Sequence, residues 1–227
     1  MEFPTENHDS FIIIPHTFAA SRIYEEDEAS HISSTTITLK ISCSPIDDEN
    51  ISAEDIGTKA IIGFQRLKVW LEGMLDHIIL IDVSSELFPP LQAAVGNQIM
   101  ITPGKPDDSM LAVLLHSKAT AITKDLLEIF TLSLTATDTD NIERLYRCSD
   151  KIYPLPGIEY FPTDAAHKTP WWTRPTIDVC DYVNVEDDDS ISWSEDADPL
   201  SEIGKEFLTI EKEADIIVFD VWKNKDK

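Results

Sequence analysis

Thr36-Ile37-Thr38-Leu39-Lys40-Ile41-Ser42-Cys43 sets an apolar side chain at every second position, with a hydroxyl or an ammonium between. Alternation of this kind buries one face and wets the other, which is the period of a half-buried β-strand. Upstream, Phe11-Ile12-Ile13-Ile14 reads as the buried start of a first strand, ended by Pro15, and Glu25, Glu26, Asp27 and Glu28 form a polar tip. The two strands are expected to pair as a hairpin. Downstream the period changes at Thr58: Phe64, Leu67, Leu71, Leu75 and Ile78 recur at three and four residues, on one helix face, until Pro89-Pro90 ends the region. A second helix follows Pro106, with Asp107, Asp108 and Ser109 as capping or first-turn residues and Leu111, Leu114, Leu115, Ala119 and Ile122 as its apolar stripe. Phe130, Leu132, Leu134 and Ala136 then alternate with Thr131, Ser133, Thr135 and Thr137, and Arg144 to Cys148 supply a partner strand. The order strand, strand, helix, helix, strand, strand predicts an α+β fold: an antiparallel four-stranded sheet with two helices on one face.

From residue 149 the composition shifts. Prolines 154, 156, 162, 170 and 175 interrupt a Tyr- and Trp-rich stretch, Glu186 to Asp198 are acidic and of low complexity, and Asp215 to Trp222 could form a returning strand. The expected division is a domain over residues 1–148 and a C-terminal extension over 149–227. Trp171-Trp172 has two readings, an exposed docking anchor or packing onto its own domain.

The 227 residues carry 42 acids against 18 bases, a formal net charge of -24. Such a field repels phosphate backbones and anionic membranes, so direct nucleic-acid or membrane binding is not expected, while a basic protein partner remains open. Cys43, Cys148 and Cys180 lie too far apart for a C-x-x-C site, and Met1 to Ser10 lack the features of a secretion signal, so a cytoplasmic location is the default. Seven glycines form no phosphate cradle, and Asp187, Asp188 and Asp189 lack the pattern of a calcium loop.

Four segments stand in a telling order: Ala19-Ala20-Ser21-Arg22-Ile23, Phe64-Gln65-Arg66-Leu67-Lys68, Leu75-Asp76-His77, and Pro106-Asp107-Asp108-Ser109-Met110-Leu111-Ala112. Together they resemble the tunnelling fold of the 6-pyruvoyl-tetrahydropterin synthase and 6-carboxy-tetrahydropterin synthase family, over about residues 11 to 148. The resemblance implies a ring-shaped homo-oligomer and a zinc site of three histidines. The corresponding positions here are Ser21, His31 and Ser33, so His31 would be a vestige of the metal site, with His16 as a less suitable substitute or an ordinary strand histidine. It also implies a cysteine base, for which no residue from Tyr24 to Ser30 qualifies, and an Asp-His pair, matched by Asp76 and His77, which read equally as the end of the first helix. A pterin-anchoring carboxylate falls on Asp138, beside Thr139, and a carboxylate there can accept two parallel hydrogen bonds from a guanidine-like edge.

These substitutions predict a catalytically degenerate member, a pseudoenzyme acting in assembly or partner binding, with no cofactor. A divergent, zinc-using lyase of the same family is the alternative. A third reading is an acidic mimic of nucleic acid that occupies a basic protein.

Overall fold

The computed structural model of the chain describes residues 11–26, 29–46, 52–95, 98–138, 143–148, 169–176 and 179. Ile12–Glu26 (β1) and Ala29–Pro45 (β2) form the expected hairpin, in register from Ile12 opposite Cys43 to Glu26 opposite Ala29. Cross-strand partners share a face. Phe18, Ala20, Ile37, Leu39, Ile41 and Cys43 therefore point together into the core, where all are buried. Thr17, Ala19, Ser21, Ser34, Thr36 and Thr38 point the other way and stay half-buried or exposed.

Pro15 does not end β1. The Ala19 N–H donates to Asp76, on the edge away from β2 (3.4 Å). Backbone N–H groups alternate sides along a strand, so the nitrogens of Thr17 and Pro15 face that same outer edge. The N–H that proline lacks is thus not one that β2 needs.

Ala53–Met74 (α1) begins at Ser52, whose side chain accepts the Asp55 N–H (3.2 Å), a local cap that sets the start before Thr58. Leu67, Leu71 and Leu75 are buried as the period requires, but Ile78 is not on the helix. The chain turns at Leu75–His77, with His77 in the left-handed region (φ 57°), and the apolar run then continues as Ile78–Asp82 (β3). Phe88–Val95 (α2) carries Pro89 and Pro90 in its first turn, so the proline pair opens a helix there. The first-turn N–H groups have no intrahelical partner, and proline loses little by lacking one. Ile99–Thr102 (β4), Asp108–Ile122 (α3), Leu127–Asp138 (β5) and Glu143–Cys148 (β6) complete the fold. At the head of α3, Asp107 accepts the Met110 N–H (2.7 Å), and every residue of the predicted stripe is buried.

Among the described residues the sheet has six strands, in the order β4-β3-β1-β2-β5-β6. The four antiparallel strands β1, β2, β5 and β6 are present, but β3 and β4 extend the sheet in parallel beside β1, and the described residues form three α-helices. Strands buried on both faces show no alternation, which is why Ile78-Ile79-Leu80-Ile81 and Ile99-Met100-Ile101 did not read as strands. One further departure lies in β5. Its ladder with β2 slips between Ser42 and Cys43, Ile129 takes the buried place opposite Cys43, and Phe130 is the extra residue of the bulge.

Trp171 and Trp172 are fully buried in the same core cluster, packed against α3 through a short 3-10 turn, Trp171–Thr173. The Trp171 indole N–H donates to the Ile101 carbonyl (2.9 Å), and the Ile101 N–H donates to the Val179 carbonyl (3.4 Å). This strap, residues 169–176, therefore meets the outer edge of β4, as does Val179. It also meets Lys118 of α3, fully buried, whose ammonium donates to the carbonyls of Trp171 (2.8 Å) and Arg174 (3.1 Å). Of the two readings of Trp171-Trp172, packing onto the chain's own body holds. The acidic stretch 186–198, the segment 215–222 and Cys180 lie outside the described residues.

Candidate functional site

A broad depression of about 300 Å³ opens on the face of the sheet that no described helix covers, where β1, β2 and β5 run side by side. Ser21 faces Ser34 across the hairpin, and Thr36 faces Thr137 of β5, so small hydroxyl side chains pave its floor. His77 and Asp138 stand at its margins.

The left-handed turn after α1 positions His77. Its Nε2 lies 3.6 Å from an oxygen of Asp76, and the other Asp76 oxygen accepts the Ala19 N–H. Asp76 and His77 thus both close α1 and stand together beside Ser21. Both side chains remain mostly exposed.

Asp138 ends β5. Arg144 on β6 reaches it at 3.2 Å, and the same guanidinium donates through Nε to Asp108 at the start of α3 (3.0 Å). Asp108 is buried and is also bound by Arg22, which points inward from β1. The result is a chain of alternating charges, Arg22, Asp108, Arg144, Asp138, running from the core to the rim of the depression. Its hydrogen bond to Asp108 above all, and the nearby Asp138 carboxylate, raise the pKa of Arg144 above the usual guanidinium value. Sequence reading missed Arg22, Asp108 and Arg144 as a unit. A signal existed: Arg22 falls in the inward phase of Phe18 and Ala20, and a cation there requires an anion.

His31 is elsewhere. It pairs with Tyr24 near the hairpin tip and stacks on that ring, centroids 5.5 Å apart, with the Lys105 ammonium 4.6 Å from the Tyr24 ring centre. By register, His31 and Ser33 share the face of Arg22, while Ser21 projects from the opposite one. Zinc requires ligands converging at about 2.0 to 2.2 Å. Ser21, His31 and Ser33 do not converge, so these residues do not fit the metal the resemblance implies. Among the described residues no group of three or more His, Cys, Asp or Glu side chains is placed to hold a metal ion. His16 lies half-buried beside Phe18, and burial pushes its imidazole below the usual range, against the opposing influence of Glu72, Asp76 and a hydrogen bond to the Leu71 backbone. Cys43 is fully buried, and burial pushes its thiol up to about 12. It lies nine residues along β2 from Ser34, roughly 30 Å at strand rise. Thr139 lies outside the described residues.

Fold and depression together define an α+β protein with a polar, open site on a mixed sheet. No protein-family model matches the chain, and no curated protein matches it. Solved structures do align. A catalytic-residue mutant of Plasmodium vivax 6-pyruvoyltetrahydropterin synthase aligns at 8% identity over 62% of this chain and 98% of that one, with a TM-score of 0.35. The Plasmodium falciparum enzyme of the same name aligns at 12% identity over 62% and 99%, with a TM-score of 0.34. Both carry the name of the family that the sequence motifs resemble.

Proposed function

We propose that this chain is a catalytically degenerate tunnelling-fold protein whose role is homo-oligomeric assembly or partner binding. The observation that carries this reading is the placement of Ser21 on one face of the hairpin and of His31 and Ser33 on the other. Zinc-assisted chemistry needs a cation held by converging ligands, and a nucleophile or base that ionises near neutral pH. Cys43 is shielded from solvent and hard to ionise. A cytoplasmic location is part of the same proposal. No helix among the described residues is long and apolar enough to cross a membrane.

Metal analysis of the purified full chain tests this. The expected result is zinc far below one per chain, unchanged by His31→Ala. Stoichiometric zinc lost on that substitution, or turnover of a reduced pteridine, would overturn the reading. One observation favours the divergent-lyase alternative: Ser21, His77 and Asp138 line a single depression, with Asp76 beside His77.

A further inference from the structure

We infer that a cleft at the carboxyl ends of three parallel strands binds a small zwitterion of the α-amino-acid class, its ammonium held by Glu25 and Asp82 and its carboxylate by Lys105. The cleft shares no residue with the depression on the sheet, and the inference goes beyond the functional reading given for that site.

The sheet register builds the cleft. β1 runs parallel to β3, and β3 to β4, so the three strands deliver their carboxyl ends to one side of the molecule. Ligands of parallel sheets bind outside such ends, where side chains converge from separate strands. One rung past the Ile23–Ile81 pair stand Tyr24 and Asp82; Glu25 follows on β1, Ser84 and Ser85 on the turn after β3, and Lys105 on the turn after β4. Together these six residues line a cleft of about 70 Å³. A water molecule takes roughly 30 Å³ of the liquid, so the cleft admits a charged head group of a few atoms and leaves a longer side chain outside.

The lining is fixed before any ligand arrives. Ser85, buried, donates its hydroxyl to one oxygen of Glu25 (2.8 Å) and accepts the Leu87 N–H (3.2 Å), which joins the end of β1 to the turn after β3. One oxygen of Asp82 accepts both the N–H and the hydroxyl of Ser84 (2.8 Å each). Each carboxylate thus has one oxygen committed, while Glu25 Oε2 and Asp82 Oδ2 have no partner among the described residues. Two such oxygens accept the N–H groups of an ammonium through charge-assisted hydrogen bonds. Lys105 arrives from the third strand, its ammonium 4.6 Å from the centre of the Tyr24 ring and 3.5 Å from Glu26. Attraction to the ring face holds it at the cleft, and of its three N–H groups Glu26 draws one, so donors remain for a carboxylate. A plain anion entering the cleft meets two carboxylates, and a plain amine leaves Lys105 unmatched. A molecule with both signs on one carbon satisfies all three charged groups.

L-Alanine, ethylamine and propionate, titrated separately into the full chain and followed by ligand-observed NMR and calorimetry, test the assignment, since the last two each lack one charged group of the first. L-Alanine is expected to bind in roughly the millimolar range, and propionate not to bind. Lys105→Gln should weaken L-alanine about tenfold and leave ethylamine unchanged, whereas Asp82→Asn should weaken both about tenfold. Absence of L-alanine binding, equal binding of L-alanine and propionate, or unchanged affinity for L-alanine in either variant overturns the assignment. Loss of ethylamine binding in Lys105→Gln likewise overturns it, because the lysine would then not be reading the carboxylate. If Asp82→Asn does not fold by circular dichroism, Lys105→Gln decides, since that side chain is 55% exposed. No metal or pteridine enters these measurements, so this site and the functional reading of the depression stand or fall separately.

Discussion

His16 sits half-buried between the β1 ladder and the end of α1, and burial makes its ring harder to protonate than in the unfolded chain. Between that lowered value and the usual 6.5, the unfolded state binds more protons, so stability rises with pH across this window. The contribution is complete above the usual value and is lost as pH falls toward the folded one. Denaturation midpoints at pH about 7.5 and about 5 should therefore fall further for the natural chain than for His16→Gln, on the linkage between protonation and folding. Equal losses would show that His16 has no part in the acid response. Glu72 and Asp76 oppose the effect of burial, so their neutralisation should deepen it. Asp76 is joined to the same region through the Ala19 N–H and His77, which ties the pH response of the hairpin to the margin of the depression.

The strap and α3 are coupled by Lys118, a cation set among Leu111, Leu114, Leu115, Ala119 and Ile122 on a buried helix face. A buried ammonium is tolerated only where acceptors meet it, and two of them are strap carbonyls. Lys118→Met keeps the length of the side chain and removes the charge, and is expected to cost about 1–3 kcal/mol in urea unfolding. Trp171→Ala opens a void and should cost about 3–5 kcal/mol. A neutral result for both would mean that the strap is not part of the cooperative unit. The strap also shows how much of the fold was legible beforehand. Alternation disclosed β2 and β5, because each has one wet face and one dry face, whereas β1 was read from its apolar β-branched run and β6 only as a partner for β5. The 3.6-residue period disclosed α1 and α3, and Asp107 marked the start of the latter. Strands β3 and β4 left no such mark, being apolar up to their last residues, Asp82 and Thr102, and Pro89-Pro90 signals a boundary without saying which side is helical. Asp76, His77 and Asp138 were visible as residues, whereas their relation to Arg144 and Asp108 depends on a strand register that no local pattern encodes. His31 and Ser33 illustrate the same limit: a shift of one residue in register exchanges the faces of a sheet.

Across the whole molecule, the formal charge of -24 sets copies of the chain against one another, while the sheet ends in strand β6, whose outer edge has no partner among the described residues. Leu145 on that strand is 59% exposed. Self-association through this edge should strengthen as salt rises from about 0.02 M to about 0.5 M, because screening removes long-range repulsion and leaves short-range apolar contact intact. Sedimentation velocity is expected to show a larger species at high salt, reduced to single chains by Leu145→Lys. A mass independent of both salt and Leu145 would remove β6 from any interface. Pro15 bears on the opposite side of the molecule. Along the length of β1 that no described strand pairs, an incoming backbone would find a donor at Thr17 and none at the next outward position, so a continuous rung-by-rung zipper cannot form there. Runaway stacking of copies into fibres is blocked at that margin by a single imino acid, and closed assemblies of limited size are what such a one-sided template permits.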